Sequence, residues 1–151
     1  MNKKAWLWAV SIVILAGCQP AASQRSDNPI KAQCNAAVCQ IKVDVAGTPP
    51  RVTVDIDELT VTRGNRGPGG AGVTIHWKLT NNDYEFRDDS IQFYDPRFPT
   101  QFDQPGTGDN RSLFRFRNKN SERGSWGYQI KVYDRRTGVW IQLDPFIMND
   151  G

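Results

Sequence analysis

The chain holds a single histidine, His76, in 151 residues. A serine or cysteine nucleophile needs a base to activate it, and His76 falls on a strand face among Thr74, Lys78 and Thr80, where a satisfied or solvent-facing imidazole is the economical reading. Carboxylates pair as Asp55 with Asp57 and as Asp88 with Asp89. Asp55 and Asp57 share a strand face, and from such a pair a glycosidase or a hard-cation site can be built. Solvated strand edges and turns account for both pairs more simply, and no ordered calcium-loop signature is present. Cys34 and Cys39 form C-x4-C, which lacks two ligands for zinc, and His76 is distant in sequence. Residues 63–72 contain five glycines but lack the Gly-Lys-Ser/Thr ending and lead into a strand, so they are a surface loop and not a phosphate cradle. The chain therefore reads as no enzyme, with no catalytic residue, no metal and no cofactor.

Charge is the feature that departs from background. Residues 81–110 carry seven acids and two bases, whereas residues 111–136 carry eight bases and two acids. Two readings follow. Neighbouring strands can pair these charges across a sheet face, each exposed pair contributing about 0–1 kcal/mol. Alternatively Arg115, Arg117, Lys119, Arg123, Lys131, Arg135 and Arg136 make one basic face that meets an acidic protein or an anionic envelope surface. In the second reading the turn over residues 119–124 would make a hairpin that brings Arg115 and Arg117 near Lys131.

The N-terminal residues determine where such a face would work. Lys3 and Lys4 precede an apolar run, residues 5–16, interrupted only by Ser11. A basic start, a short apolar core and small residues before a cut describe a secretory signal, and the run is shorter than the roughly 20 residues a membrane span requires. The stretch Leu15-Ala16-Gly17-Cys18 resembles the lipobox of bacterial lipoproteins. That resemblance implies that residues 1–17 are removed, that Cys18 is lipidated and becomes the first mature residue, and that acyl chains hold the protein to a membrane. An ordinary signal peptide with a chance cysteine is the alternative. In enteric-type sorting an Asp after the lipidated cysteine retains the protein at the inner membrane. Here that position is Gln19, which implies the outer membrane, on its periplasmic or surface face.

Two further expectations rest on the same resemblance. Loss of Lys3 and Lys4 lowers the formal charge from +3 to about +1, which removes any electrostatic argument for nucleic acid. With Cys18 taken by lipid, Cys34 and Cys39 are left as an even pair in an oxidising compartment, and a disulfide between them is favoured over free thiols. Its short loop makes the chain-entropy contribution only about 2 kcal/mol.

Residues 18–33 are rich in Ala, Ser, Gln, Asn and Pro, with Ile30 as the one large apolar residue, and read as a flexible tether of roughly 20 Å. From residue 34 to residue 151 the pattern is a single domain. Cys39, Ile41, Val43 and Val45 alternate with polar residues, as do Val52, Val54 and Ile56, and then the parity slips to Leu59 and Val61, which requires a bulge or a new strand. Val73, Ile75, Trp77 and Leu79 form the strongest strand. Shorter ones follow at residues 84–86 and 90–93, then a long Pro/Gly loop over residues 96–110 that holds Phe98 and Phe102. Phe114 and Phe116 point inward from the next strand; Tyr128, Ile130 and Val132 alternate on another. A turn at residues 134–138 leads to Val139, Ile141 and Leu143. Pro145 ends that strand, and residues 146–148 are expected to pack as a clasp.

No convincing helical period follows the signal. Seven to nine short strands with frequent turns predict an all-β, antiparallel β-sandwich. Trp77 in mid-strand and Tyr128 two residues before Ile130 resemble the core tryptophan and late tyrosine of immunoglobulin-like domains, which implies architecture and not activity. Ile130 stands where those domains often carry cysteine, so their usual inter-sheet disulfide is absent. The ending over residues 144–149 resembles those of uncharacterised bacterial β-domains, which carries no function with it.

These observations favour a lipid-anchored envelope module that docks another envelope protein. The alternative is a domain for cell-wall or surface glycan, using Trp126, Tyr133 and Trp140, with Trp126 and Trp140 expected at the surface. An inhibitor of a secreted hydrolase is a weaker third.

Overall fold

A computed structural model describes residues 28–62, 64–65, 68–108 and 110–150. Cys18, the expected signal segment and the expected tether up to residue 27 lie outside the described residues. Among those described, the strands are β1 (Lys31–Cys34), β2 (Val38–Ala46), β3 (Arg51–Val54), β4 (Glu58–Val61), β5 (Val73–Leu79) and β6 (Tyr84–Glu85). They continue as β7 (Ile91–Phe93), β8 (Phe102–Thr107), β9 (Leu113–Asn118), β10 (Gly124–Asp134), β11 (Trp140–Leu143) and β12 (Phe146–Asn149). A 3₁₀ turn at Pro68–Gly70 and a single helical turn, α1 (Phe98–Gln101), are the only helical pieces among the described residues.

The strands form two sheets packed as a sandwich. One sheet has the order β3-β2-β5-β9-β8, and the other runs β1-β4-β12-β10-β11 with β6 and β7 also on β10. Strand β10, eleven residues long, is the spine of the second sheet. Ile130 faces Ile91 of β7 on one edge and Leu143 of β11 on the other, and the same register continues past Pro145 into β12.

The all-β sandwich stands, with two amendments. Twelve strands are present among the described residues where seven to nine were expected, because elements of two to four residues carry too few alternations to reveal a period. The sheets are mixed and not antiparallel: β1 with β4, β4 with β12, and β2 with β5 run parallel. The parity slip after Ile56 is a new strand, and it is also a change of sheet, since β3 belongs to one layer and β4 to the other. The expected tether ends sooner than residue 33, because Lys31–Cys34 pairs with β4. The loop expected over residues 96–110 contains α1 and β8, an edge strand whose register shifts between Asp103 and Gly106. The expected C-terminal clasp is strand β12, inserted between β4 and β10.

Alternation along each strand supplies the core. Ile41, Val43, Ile75, Trp77, Phe114 and Phe116 face inward from one sheet, and Leu59, Val61, Tyr128, Ile130, Val132 and Ile147 from the other; all are buried. Burying each such side chain contributes about 1.5–3 kcal/mol. Cys34 in β1 and Cys39 in β2 form the expected disulfide, with Cα atoms 5.9 Å apart, and it ties one sheet to the other where the chain crosses between them. At the same end of the sandwich the buried amides of Asn118 and Asn149 bond each other at 2.7 Å. The Gln101 side-chain carbonyl there accepts the backbone N–H of Ser121 at 3.0 Å. These amides satisfy polar backbone that the turn before β10 would otherwise bury without partners.

Candidate functional site

The basic segment does not form one face. Strand β9 pairs with β5 and β8 in one sheet, whereas β10 lies in the other. Arg115 and Arg117 therefore sit on the opposite outer surface from Lys131, and no hairpin joins them. The chain between β9 and β10 crosses from one layer to the other, with Asn118, Asn120 and Trp126 buried along it.

Most of the predicted cations are taken by the acidic segment that precedes them. Arg117 grips Asp103 with two bonds, Nε to Oδ1 at 2.6 Å, and Lys119 stands 3.4 Å from the same carboxylate. Lys131 pairs with Asp89 at 2.5 Å, Arg135 with Glu85 at 3.1 Å, and Arg136 with Asp83 at 3.7 Å. Glu85 is the hub of this arrangement. Only 8% exposed, it also accepts Arg87 Nε at 2.8 Å and Arg111 at 3.5 Å. The Arg87 hydrogen bond and the surrounding guanidinium charges hold the Glu85 carboxyl below the usual carboxylate range, against the opposing effect of burial.

Arg115 and Arg123 are the two predicted residues with no ion pair among the described residues. Arg123 is exposed in the turn before β10. Arg115 is different, because the sheet sets it beside other cations. Strand register places Gln40 of β2, His76 of β5 and Arg115 of β9 in one row, with Lys42 and Lys78 side by side in the next. Neither Lys42 nor Lys78 has an ion pair among the described residues. Gln40, His76, Lys78, Ser112 and Arg115 line an open groove of about 630 Å³ on this outer face. A smaller hollow of about 160 Å³, lined by Thr74, Gln104 and Arg117, adjoins it and shares Arg115 as a wall. The register shift in β8 opens this end: Gln104 adopts a left-handed φ of 52°, and Gly106 puts no side chain over the Arg115 guanidinium.

Burial, and then the charge of Arg115, lower the pKa of His76 below its ordinary value of 6.5. At neutral pH the groove thus presents a neutral imidazole between cations. On the β2 side of the groove, Asp44 accepts the Thr80 hydroxyl at 2.6 Å, and Asp55 accepts the Lys42 backbone N–H at 2.7 Å.

No protein-family model and no curated protein matches the chain.

Asp55 and Asp57 do not act as a pair. They fall in the connection between the two sheets, where Asp57 accepts the backbone N–H of Ile30 at 2.9 Å while Asp55 serves Lys42. Of the aromatic residues, Trp126 is buried and not exposed, because it shares the inward parity of Tyr128, Ile130 and Val132 along β10. Tyr133 and Trp140 do meet on the outer face of the second sheet, with ring centroids 5.4 Å apart. The Arg87 guanidinium lies 3.3 Å above the Tyr133 ring, and Lys131 Nζ lies 5.2 Å from that of Trp140.

Gln40, Lys42 and Lys78 were absent from the expected site. Their outward parity was legible in two separate strands, but the parallel pairing of β2 with β5 that makes them neighbours joins residues more than thirty positions apart. A charge count along the chain does not register such a cluster.

Proposed function

We propose that this chain is a lipid-anchored envelope module that docks another envelope protein without catalysing a reaction. The lipobox-like Leu15-Ala16-Gly17-Cys18 supports the anchor, Gln19 after it supports the outer membrane, and buried acyl carbons worth about 0.8 kcal/mol each make attachment through Cys18 stable. The observation that carries docking is the contrast between the two outer surfaces. Acids neutralise the bases on one, while Arg115, Lys78 and Lys42 on the other have no ion pair among the described residues. Unpaired cations repel one another within a sheet, and an acidic surface brought against them relieves that repulsion and directs encounter.

Cross-linking in intact envelopes tests the docking. The wild-type chain captures a protein partner, capture weakens between low and physiological salt, and Arg115→Glu with Lys78→Glu abolishes it while the melting temperature holds. Capture that ignores both salt and the double variant removes docking from the account. Intact mass of the mature protein tests the anchor, and an unmodified Cys18 excludes it.

A second reading, glycan binding, draws on the half-exposed Trp140 beside Tyr133. Aromatic faces of this kind stack on sugar rings, but here Arg87 already covers the Tyr133 face. Trp140→Ala would weaken retention on envelope glycan if this surface were the site.

A further inference from the structure

We infer that the groove between β2, β5 and β9 takes an extended acidic peptide segment with carboxylates on alternate residues, one held by Arg115 and the next by Lys78. This inference rests on the docking reading and names the chemistry of the partner.

Three observations carry it. The cations do not converge on a point, as a phosphate or sulfate site requires, but occupy successive outward rows of the sheet. Alternate residues on a strand are about 6.6–6.8 Å apart, and an extended peptide presents its own alternate side chains at the same repeat. A segment lying along β5 thus meets Arg115 in one row and Lys78 in the next without changing its pitch. The rest of the lining is mainly polar: Gln40, Thr107, Asn110 and Ser112 provide donors and acceptors for a peptide backbone, Leu113 is the one large aliphatic side chain, and no Phe, Tyr or Trp ring lines the groove. That composition suits a main chain better than a sugar face, which stacks on rings. The volume of about 630 Å³ falls in the range of ligand sites. Lys42, beside Lys78, opens on a neighbouring hollow that also holds Asp44 and Asp55. It therefore contributes field more than contact.

Fluorescence anisotropy of the full chain in neutral detergent tests the inference, using a labelled octapeptide that alternates Glu with Thr. The alternating peptide is expected to bind at low salt and to lose affinity at least tenfold in Arg115→Gln and in Lys78→Gln. Lys131→Gln, on the opposite surface, leaves binding within twofold. Arg115→Lys keeps the charge and recovers part of the affinity. Unchanged far-ultraviolet circular dichroism and melting temperature verify that each variant is folded.

No binding by wild-type protein overturns the inference, as does equal binding of a peptide with the same four glutamates in one block. Competition by polygalacturonate or inorganic phosphate at lower concentration than the peptide assigns the groove to another anion and also overturns it. Loss of envelope capture in the groove variants together with no peptide binding rejects the peptide chemistry and leaves docking standing. Envelope capture that is indifferent to the groove rejects the docking reading itself.

Discussion

Trp77 donates its indole Nε1–H to the hydroxyl of Tyr128 at 3.0 Å, with both rings wholly enclosed between the sheets. Trp77 belongs to β5 of one layer and Tyr128 to β10 of the other, so this bond and the edge-on ring contact at 5.4 Å fix how the layers sit on each other. Burial also pushes the Tyr128 hydroxyl above its ordinary pKa, keeping it neutral as the acceptor.

Truncation at this junction has graded costs. Trp77→Ala removes the largest core side chain and is expected to cost about 3–5 kcal/mol. Tyr128→Phe leaves an indole donor buried without an acceptor, at about 1–3 kcal/mol. Urea unfolding measures both, and a midpoint unmoved in Trp77→Ala would mean that β5 faces the other way.

Glu85 links the chain's charge segregation to its stability. Replacing it by Gln leaves Arg87, Arg111 and Arg135 without their shared anion, at a cost of about 2 kcal/mol. Its folded pKa lies below the ordinary 4.5, so its contribution is complete above that value and fades as pH falls through the lower folded one. Wild-type protein should therefore lose stability below about pH 4.5, and Glu85→Gln should lose less over that interval.

His76 reports on the groove directly, because it is the only histidine. Its folded pKa is lowered from 6.5, so the unfolded chain takes the proton first and stability declines as pH drops below 6.5. Arg115→Gln removes the smaller of the two causes while burial remains, so the imidazole should titrate closer to 6.5. Proton resonances of the ring across a pH series measure this, and an unchanged midpoint would separate Arg115 from His76.

Adjacent outward arginines on β9 should behave oppositely. Arg117→Glu sets a carboxylate against Asp103 and is expected to lower the melting temperature, whereas Arg115→Glu breaks no ion pair among the described residues and should leave it nearly unchanged. Thermal melting of the two single variants distinguishes them, and equal losses would contradict the pairing described.

The strand faces were legible in residues such as Ile41, Val43, Ile75 and Trp77, because period-two alternation over five or more positions has one physical cause, a sheet with one buried side. Trp126 obeys the same rule, sharing the inward parity of Tyr128, although it stands close after a turn. Phe102 and its strand were not legible, since Pro105 and Gly106 interrupt the pattern where β8 shifts register. The likeness of Trp77 and Tyr128 to an immunoglobulin-like core was carried by residue type, and their contact required the two sheets to close.

By itself the sequence determined the all-β class, the inward faces of the long strands and the segregation of acidic from basic residues. All three are properties of neighbouring positions in the chain. Only the tertiary structure decided which sheet each strand joined, and therefore which charges met. Arg117 and Arg115 are two residues apart and chemically identical, yet one faces Asp103 of β8 and the other faces Gly106, which offers no carboxylate. Pairing between strands depends on long-range register, which local periodicity does not encode, and so the groove cations become neighbours only where β2, β5 and β9 lie side by side.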